Sequence, residues 1–192
     1  MGRIVVSEFV SLDGVAEDPG GAEGTKFGGW TFKFQRGDAG NAFKAQELKD
    51  AEALLLGRVT YQGFAQAWPG MREQAGEFGE LMHSVGKYVL SNTLPEAEAT
   101  WNNSTVVRGS IKEVAALKDR VSGNLLVAGS CQLASALIAD GLVDELRLMV
   151  FPILLGAGKR IFPAGGDATP AFTLSTPPSE EDGVLMLTYV PR

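Results

Sequence analysis

Short apolar runs bounded by turn residues alternate along this chain with longer segments in which apolar positions recur at helical spacing. The runs Arg3–Val10, Ala53–Leu56, Lys87–Leu90, Thr105–Val107, Leu125–Ala128 and Glu145–Pro152 read as strands. They are nearly continuous rather than alternating, as a strand needs when both of its faces are covered. Helical spacing fits Asp38–Ala51, Thr60–Ala67, Glu73–His83, Ile111–Lys118 and Gln132–Asp140. Ser110 three residues ahead of Glu113 forms a capping box that marks the start of the fourth helix. Strands taking turns with helices predict an α/β fold, a mostly parallel central sheet between helical layers. Beyond Pro152 the pattern changes. Phe172–Ser175 and Val184–Val190 lie either side of the polar stretch Thr176–Gly183 and predict a C-terminal antiparallel hairpin closing the sheet. The glycine-rich segment Glu17–Gly29 fits neither period, and both a mobile flap over a site and a solvated connector suit it.

With 192 residues, 45% of them hydrophobic, the chain suits one domain over residues 1–192 whose core needs no disulfide or metal. A formal charge of −6, with no cluster of Lys and Arg, argues against a nucleic-acid partner. One cysteine, Cys131, excludes an internal disulfide, and one histidine, His83, leaves no Cys/His set for a structural zinc. The N-terminus runs straight into a strand pattern without a signal-peptide core, and no apolar run reaches membrane-spanning length. A cytoplasmic protein without a membrane or metal partner is expected.

Candidate chemistry gathers where strands turn into helices. In Leu54-Leu55-Leu56-Gly57-Arg58-Val59-Thr60-Tyr61 an apolar strand stops at a glycine and a helix begins at once. The free N–H groups and positive dipole end of such a helix favour a phosphate, and Arg58 adds a charge that forks onto phosphate oxygens. Leu125–Leu133 repeats the design around Ala128, Gly129, Ser130, Cys131, Gln132 and Leu133, and a third strand ends in Leu90-Ser91-Asn92. An isolated glycine turn is more often only a tight connection; three such strand ends side by side line one dinucleotide groove. No Gly-x-Gly-x-x-Gly follows a strand, and Gly156-Ala157-Gly158-Lys159 lacks the spacing of a Walker A loop, which disfavours an ordinary Rossmann domain and triphosphatase chemistry. Cys131 lacks a neighbouring base and reads as a small side chain rather than a nucleophile. Asp13, in Ser11-Leu12-Asp13-Gly14-Val15, is either a turn residue accepting backbone N–H groups or a ligand for a substrate amide or hydroxyl. Trp30 and Phe34 offer an aromatic surface to core or pocket.

Taken in order, these motifs resemble the dihydrofolate reductase fold, and more closely the reductase domain of bacterial riboflavin biosynthesis, the RibD C-terminal domain family, in its single-domain form. Ser11-Leu12-Asp13-Gly14 looks like the opening of that domain, Gly57-Arg58-Val59-Thr60-Tyr61 like the Gly-Arg-x-Thr-aromatic segment shared with dihydrofolate reductases, and Leu142–Leu146 with Phe151–Gly158 like its closing motif. The resemblance implies a three-layer α/β/α dihydrofolate reductase-like fold and NADPH as cofactor. It implies the adenosine 2′-phosphate near Arg58, Thr60, Ser91 and Asn92, and the pyrophosphate on Gly129 to Leu133. It implies further that Asp13, Gly14 and Val15 border the nicotinamide and the substrate. Riboflavin-pathway reductases carry a glutamate where this chain has Ala128, which argues against their ribosylamino-pyrimidine as substrate. Asp38 is the nearest candidate for the pocket carboxylate of dihydrofolate reductases, and a helix N-cap is its simpler role.

The reading is an NADPH-dependent reductase that transfers a hydride to a small heteroaromatic or carbonyl compound, pteridine- or pyrimidine-like, with Asp13 orienting substrate or supplying the final proton. A dinucleotide-binding or ligand-sensing protein without catalysis is the alternative. The apolar late strands make a homodimer plausible.

Overall fold

Buried, β-branched-rich runs and amphipathic helices assemble as the alternation predicts. The structure, a computed structural model, describes residues 1–162 and 169–192. Strands β1 (Arg3–Ser11), β2 (Ala51–Gly57), β3 (Gly86–Leu90), β4 (Ser104–Val107), β5 (Asn124–Ala128), β6 (Glu145–Phe151), β7 (Phe172–Leu174), β8 (Ser179–Glu181) and β9 (Val184–Pro191) form one sheet. Its order is β4-β3-β2-β5-β1-β6-β9-β7, with β8 also on β9. Every pairing from β4 to β6 is parallel, and every pairing to β9 is antiparallel.

Helices α1 (Gly37–Lys49), α2 (Arg58–Met71) and α3 (Gly76–Ser84) cover one face, where Leu48, Tyr61 and Met82 pack on Val5, Leu54, Leu56 and Val89. Helices α4 (Ile111–Lys118) and α5 (Cys131–Ala139) cover the other, where Val114, Leu117, Leu133 and Leu137 pack on Ile4, Val6, Leu55 and Val127. Side chains of a strand alternate between faces, so β1 sends Ile4, Val6 and Val10 one way and Val5, Ser7 and Phe9 the other. Among the described residues no helix is long and apolar enough to cross a membrane.

Apart from shifted ends such as α3 starting at Gly76 instead of Glu73, the elements differ from the sequence expectation at three places. Helix α2 begins at Arg58 and runs through Pro69 to Met71 instead of ending at Ala67. Trp68 explains the extension: it packs edge-on to Phe64 and against Phe78 of α3, contacts that offset the backbone bond Pro69 removes. The closing hairpin also has an extra strand. Asp182 and Gly183, with φ of 51° and 76°, make a two-residue turn joining β8 to β9, while β7 pairs with the far end of β9. That hairpin supplies the cap assigned to Asp38: Glu181 accepts from the Ala39 N–H at 2.8 Å, and Asp38 lies exposed in the first turn.

The loop between β1 and α1 has no regular structure apart from the single turn Trp30–Lys33, yet it is tied down. Asp18, 2% exposed, accepts from the Glu23 and Thr25 N–H groups and the Thr25 hydroxyl. Burial opposes its ionisation, but these bonds outweigh burial and lower its carboxyl. Trp30 is fully buried, its indole N–H donates to the Glu17 carbonyl at 2.8 Å, and its ring meets Phe151 edge-on. Trp30 thus belongs to a core cluster with Met149, Phe151, Val184 and Met186 and presents no face to a substrate, a correction to the pocket role. Phe34, half-buried, tilts against the same Phe151 ring. Replacing Trp30 with Ala is expected to cost about 3–5 kcal/mol of stability, read as a lowered urea midpoint; an unchanged midpoint would show that the ring anchors nothing.

Candidate functional site

The strand-to-helix turns converge at the C-terminal edge of the parallel sheet. Parallel strands direct their carboxyl ends to one edge, and a crevice opens where connections leave to opposite faces. Here the β2–α2 and β3 connections use one face, and the β4–α4–β5–α5 path uses the other. A cavity of about 510 Å³ occupies that crevice, lined by Gly57, Arg58, Val59, Thr60, Leu90, Ser130, Cys131, Gln132 and Leu133 of the expected set. Glu23, Ile111, Ala136 and Lys159 complete its wall and were not foreseen. The signal available for Ile111 was its place directly after the capping serine, beside the third strand end.

One hydrogen bond joins the two main turns: the Gly57 N–H donates to the Ser130 Oγ at 3.0 Å. Gly129 and Ser130 both adopt left-handed backbone, φ 73° and 68°, a sequence of conformations that reverses the chain sharply before α5. A Cβ on Gly129 would stand 3.3 Å from Thr60 Cγ2, so glycine lets the two turns approach. Neither α2 nor α5 receives a side-chain cap, which leaves their first-turn N–H groups facing the cavity, whereas Ser110 and Glu113 close the capping box of α4. Arg58 is exposed and, among the described residues, its guanidinium bonds only Gln62, at 3.3 Å, which leaves it able to turn toward a ligand. Lys159 bonds Glu17 at 2.9 Å and lies 3.5 Å from Glu23 on the β1 side of the cavity.

Other expected residues lie outside this lining. Ser91 and Asn92 brace strand ends instead: Ser91 Oγ accepts from the Thr93 and Leu94 N–H groups, and the Asn92 amide exchanges two bonds with Gly109. Ala128 and Gly129 form the backbone behind the lining. Val15 is buried and faces a smaller cavity of about 190 Å³ with Phe27, Leu155 and Gly158, while Gly14 adopts φ 79° in the turn before it.

Asp13 is held by the chain. Its carboxylate accepts from the Ser11 hydroxyl at 2.6 Å, the Leu155 N–H at 3.1 Å and the Gly156 N–H at 2.8 Å, with Arg160 at 3.6 Å. The Ser11 bond foremost, with the backbone bonds, lowers its pKa to about 2, so it is an acceptor at neutral pH and does not donate a proton. The Cys131 thiol is pushed up to about 12, first by burial and then by the Glu8 charge, which removes it as a nucleophile.

Among the buried carboxylates that the sequence reading missed, two stand at Ser7 of β1. Glu47 of α1, 2% exposed, accepts from Ser7 Oγ of β1 and pairs with Lys44, which itself donates to Ser7 at 2.8 Å. Glu8, 4% exposed, is the other. A polar pair inside the apolar run Ile4–Val10 was the available sign.

Comparison with known proteins follows the same outline. Residues 3–183 match the family described as the RibD C-terminal domain. The uncharacterised protein YyaP of Bacillus subtilis strain 168 is 30% identical over 163 residues, covering 83% of this chain and 80% of YyaP. A Shewanella sp. PV-4 protein named for riboflavin biosynthesis superposes with a TM-score of 0.77 at 20% identity, over 99% of both chains. The dihydrofolate reductase of Enterococcus faecalis, solved with NADP(H), gives 0.60 at 18% identity over 98% of this chain and 96% of that one. These likenesses give the dihydrofolate reductase-like fold.

The ionisation of Asp13 makes a pH prediction. Its folded pKa of about 2 lies below the ordinary 3.8, so its contribution is fully present above about 3.8 and fades as pH falls toward 2. Asp13→Asn is expected to lower the denaturation midpoint at neutral pH and to flatten its acid dependence in that window; an unchanged acid slope would contradict the bonded carboxylate.

Proposed function

The chain belongs to the RibD C-terminal domain family, and on that footing we propose that it is an NADPH-dependent reductase acting on a small heteroaromatic or carbonyl compound. The observation that carries this reading is the pair of uncapped helix starts, locked together by the Gly57–Ser130 bond, opening with Arg58 into one cavity of about 510 Å³. Two helix N-termini and a free guanidinium suit a ligand with separate phosphate groups. The residues fit a dinucleotide phosphate: glycine would allow the close backbone approach at Gly129, Arg58 with Thr60 would hold a terminal phosphate on the β2 side, and the first-turn N–H groups of α5 would hold the pyrophosphate.

When bound, the nicotinamide supplies the hydride; the protein's part is placement. Ile111, Leu133 and Ala136 give the groove apolar wall that excludes water around the cofactor. In this reading Asp13 is a positioning residue. It fixes the β1 end against the Leu155–Gly156 turn and so sets the smaller cavity beside Val15, leaving the final proton to water. Ala128 stands where riboflavin-pathway enzymes carry glutamate, and a pteridine- or pyrimidine-like ring other than their ribosylamino-pyrimidine is the substrate class we favour. Leu174 of the edge strand β7 and Leu185 of β9 are exposed apolar positions open to a second copy, and we propose a homodimer.

Parallel titrations with NADPH and NADH, followed by tryptophan quenching, are expected to show micromolar NADPH binding and clear preference over NADH. Arg58→Ala is expected to weaken NADPH by about 1.5–3 kcal/mol for each charge-assisted bond lost while leaving NADH nearly unchanged. Equal weakening of both would remove Arg58 from the 2′-phosphate. Sedimentation equilibrium at twice the monomer mass checks the dimer, and a monomer mass at high concentration refutes it.

A further inference from the structure

Glu8 is a buried acid that no part of the reductase reading uses. Its Oε1 is buried and has no hydrogen-bond partner among the described residues. Buried polar atoms are almost always paired, so a bare carboxyl oxygen inside a sheet calls for a partner that the described residues do not supply. Strand alternation puts Glu8 on the α5 face of β1, with Ile4, Val6 and Val10, and therefore on the cavity side of the sheet. It follows Ser7, whose register partner Ala128 ends β5 directly before the turn into α5, and its charge acts on Cys131 of the cavity wall. Through the strand, on the α1 side, Lys44 favours its ionisation and Glu47 opposes it, but those two are already paired with each other and with Ser7. On the cavity side Lys159 and Glu23 act on the same Cys131 with opposite signs. Burial outweighs all of these and pushes the Glu8 pKa up to about 8, which leaves it mostly neutral at pH 7 yet able to ionise with a small change in its surroundings.

The direction of the groove supplies the partner. A dinucleotide with its terminal phosphate at Arg58, directly after β2, and its pyrophosphate at the start of α5, after β5, would direct its remaining half toward β1, next in the sheet order, where Lys159 joins the cavity wall. That half is the nicotinamide, a neutral ring when reduced and a cation when oxidised. We propose that Glu8 reads this charge: its carboxylate favours the oxidised ring over the reduced one, so that binding of the oxidised dinucleotide and ionisation of Glu8 are linked. The proposal rests on the dinucleotide reading of the cavity. In a dry site an unpaired carboxylate and a cationic ring attract far more than they do in water, so the cation offsets part of the cost of charging Glu8.

The consequence is a difference in pH dependence. Raising pH ionises Glu8, so NADP⁺ binds more tightly at higher pH while NADPH does not; the 2′-phosphate is common to both and cancels in their ratio. Calorimetric titrations with NADP⁺ and NADPH from about pH 7 to about pH 9 are expected to show the NADP⁺/NADPH affinity ratio rising about fivefold. Glu8→Gln, which keeps shape and removes the charge, is expected to flatten that rise. Lys87 also titrates near 8, but it lies at the opposite end of β3, over Trp101, and remains in the variant as a control. A second readout avoids the variant: near pH 8 the native protein is expected to release protons on binding NADP⁺ and none on binding NADPH, measured in buffers of different ionisation heat. A flat ratio, equal proton release with both, or a rise that persists in Glu8→Gln overturns the assignment of Glu8. Failure of either dinucleotide to bind overturns the cofactor reading beneath it.

Discussion

The hydrogen bond from the Gly57 N–H to Ser130 Oγ is the contact on which the site depends. It links the ends of β2 and β5, neighbours in the sheet but 73 residues apart in the chain, and fixes two helix starts relative to each other. The donor is a glycine amide at the last position of a buried strand, and the acceptor is a serine held in left-handed backbone. Left-handed backbone in a non-glycine residue is costly, and it persists where its surroundings over-determine it. Here the surroundings are the parallel registers of β2, β5 and β1, which leave little freedom to the turns that follow them.

Strand β1 divides the chemistry between the two faces. One residue, Ser7, meets the α1 side and builds the closed network with Lys44 and Glu47; the next, Glu8, meets the cavity side and is left bare. The contrast is informative because both are buried polar groups in one apolar strand. The first is satisfied and so serves to dock a helix that is otherwise largely polar. The second has an unpartnered oxygen on the α5 side, and it is this group whose ionisation the proposal couples to the contents of the groove.

Much of this was legible in the sequence where local physics decides. The strand–glycine–helix turns at Gly57 and Gly129 announced themselves, since an apolar run, a glycine and a helix start leave few alternatives. The capping box at Ser110 was equally readable. What local physics does not decide was missed. Trp30 has the composition of a pocket residue, and only the packing of Phe151 and Met149 around it shows that it lies in the core. At Ser91 and Asn92 the bonds to Leu94 and Gly109 that brace the strand end follow from the fold and not from the local pattern. Asp182-Gly183 was a readable hairpin signal passed over as part of a polar stretch, and the cap of α1 came from that hairpin, more than 140 residues away. Long-range partners of this kind are set by topology, which the order of hydrophobic runs constrains only loosely.

The central claim is that two helix starts act together on one dinucleotide. Amide hydrogen exchange, with and without saturating NADPH, tests it most directly by following the first-turn N–H groups of α2 and α5 at once. The account predicts that protection rises at Val59 and Thr60 and at Cys131 and Gln132 in the same titration, while the capped start of α4 at Lys112 changes little. Protection at only one of the two turns, or at neither, would contradict it.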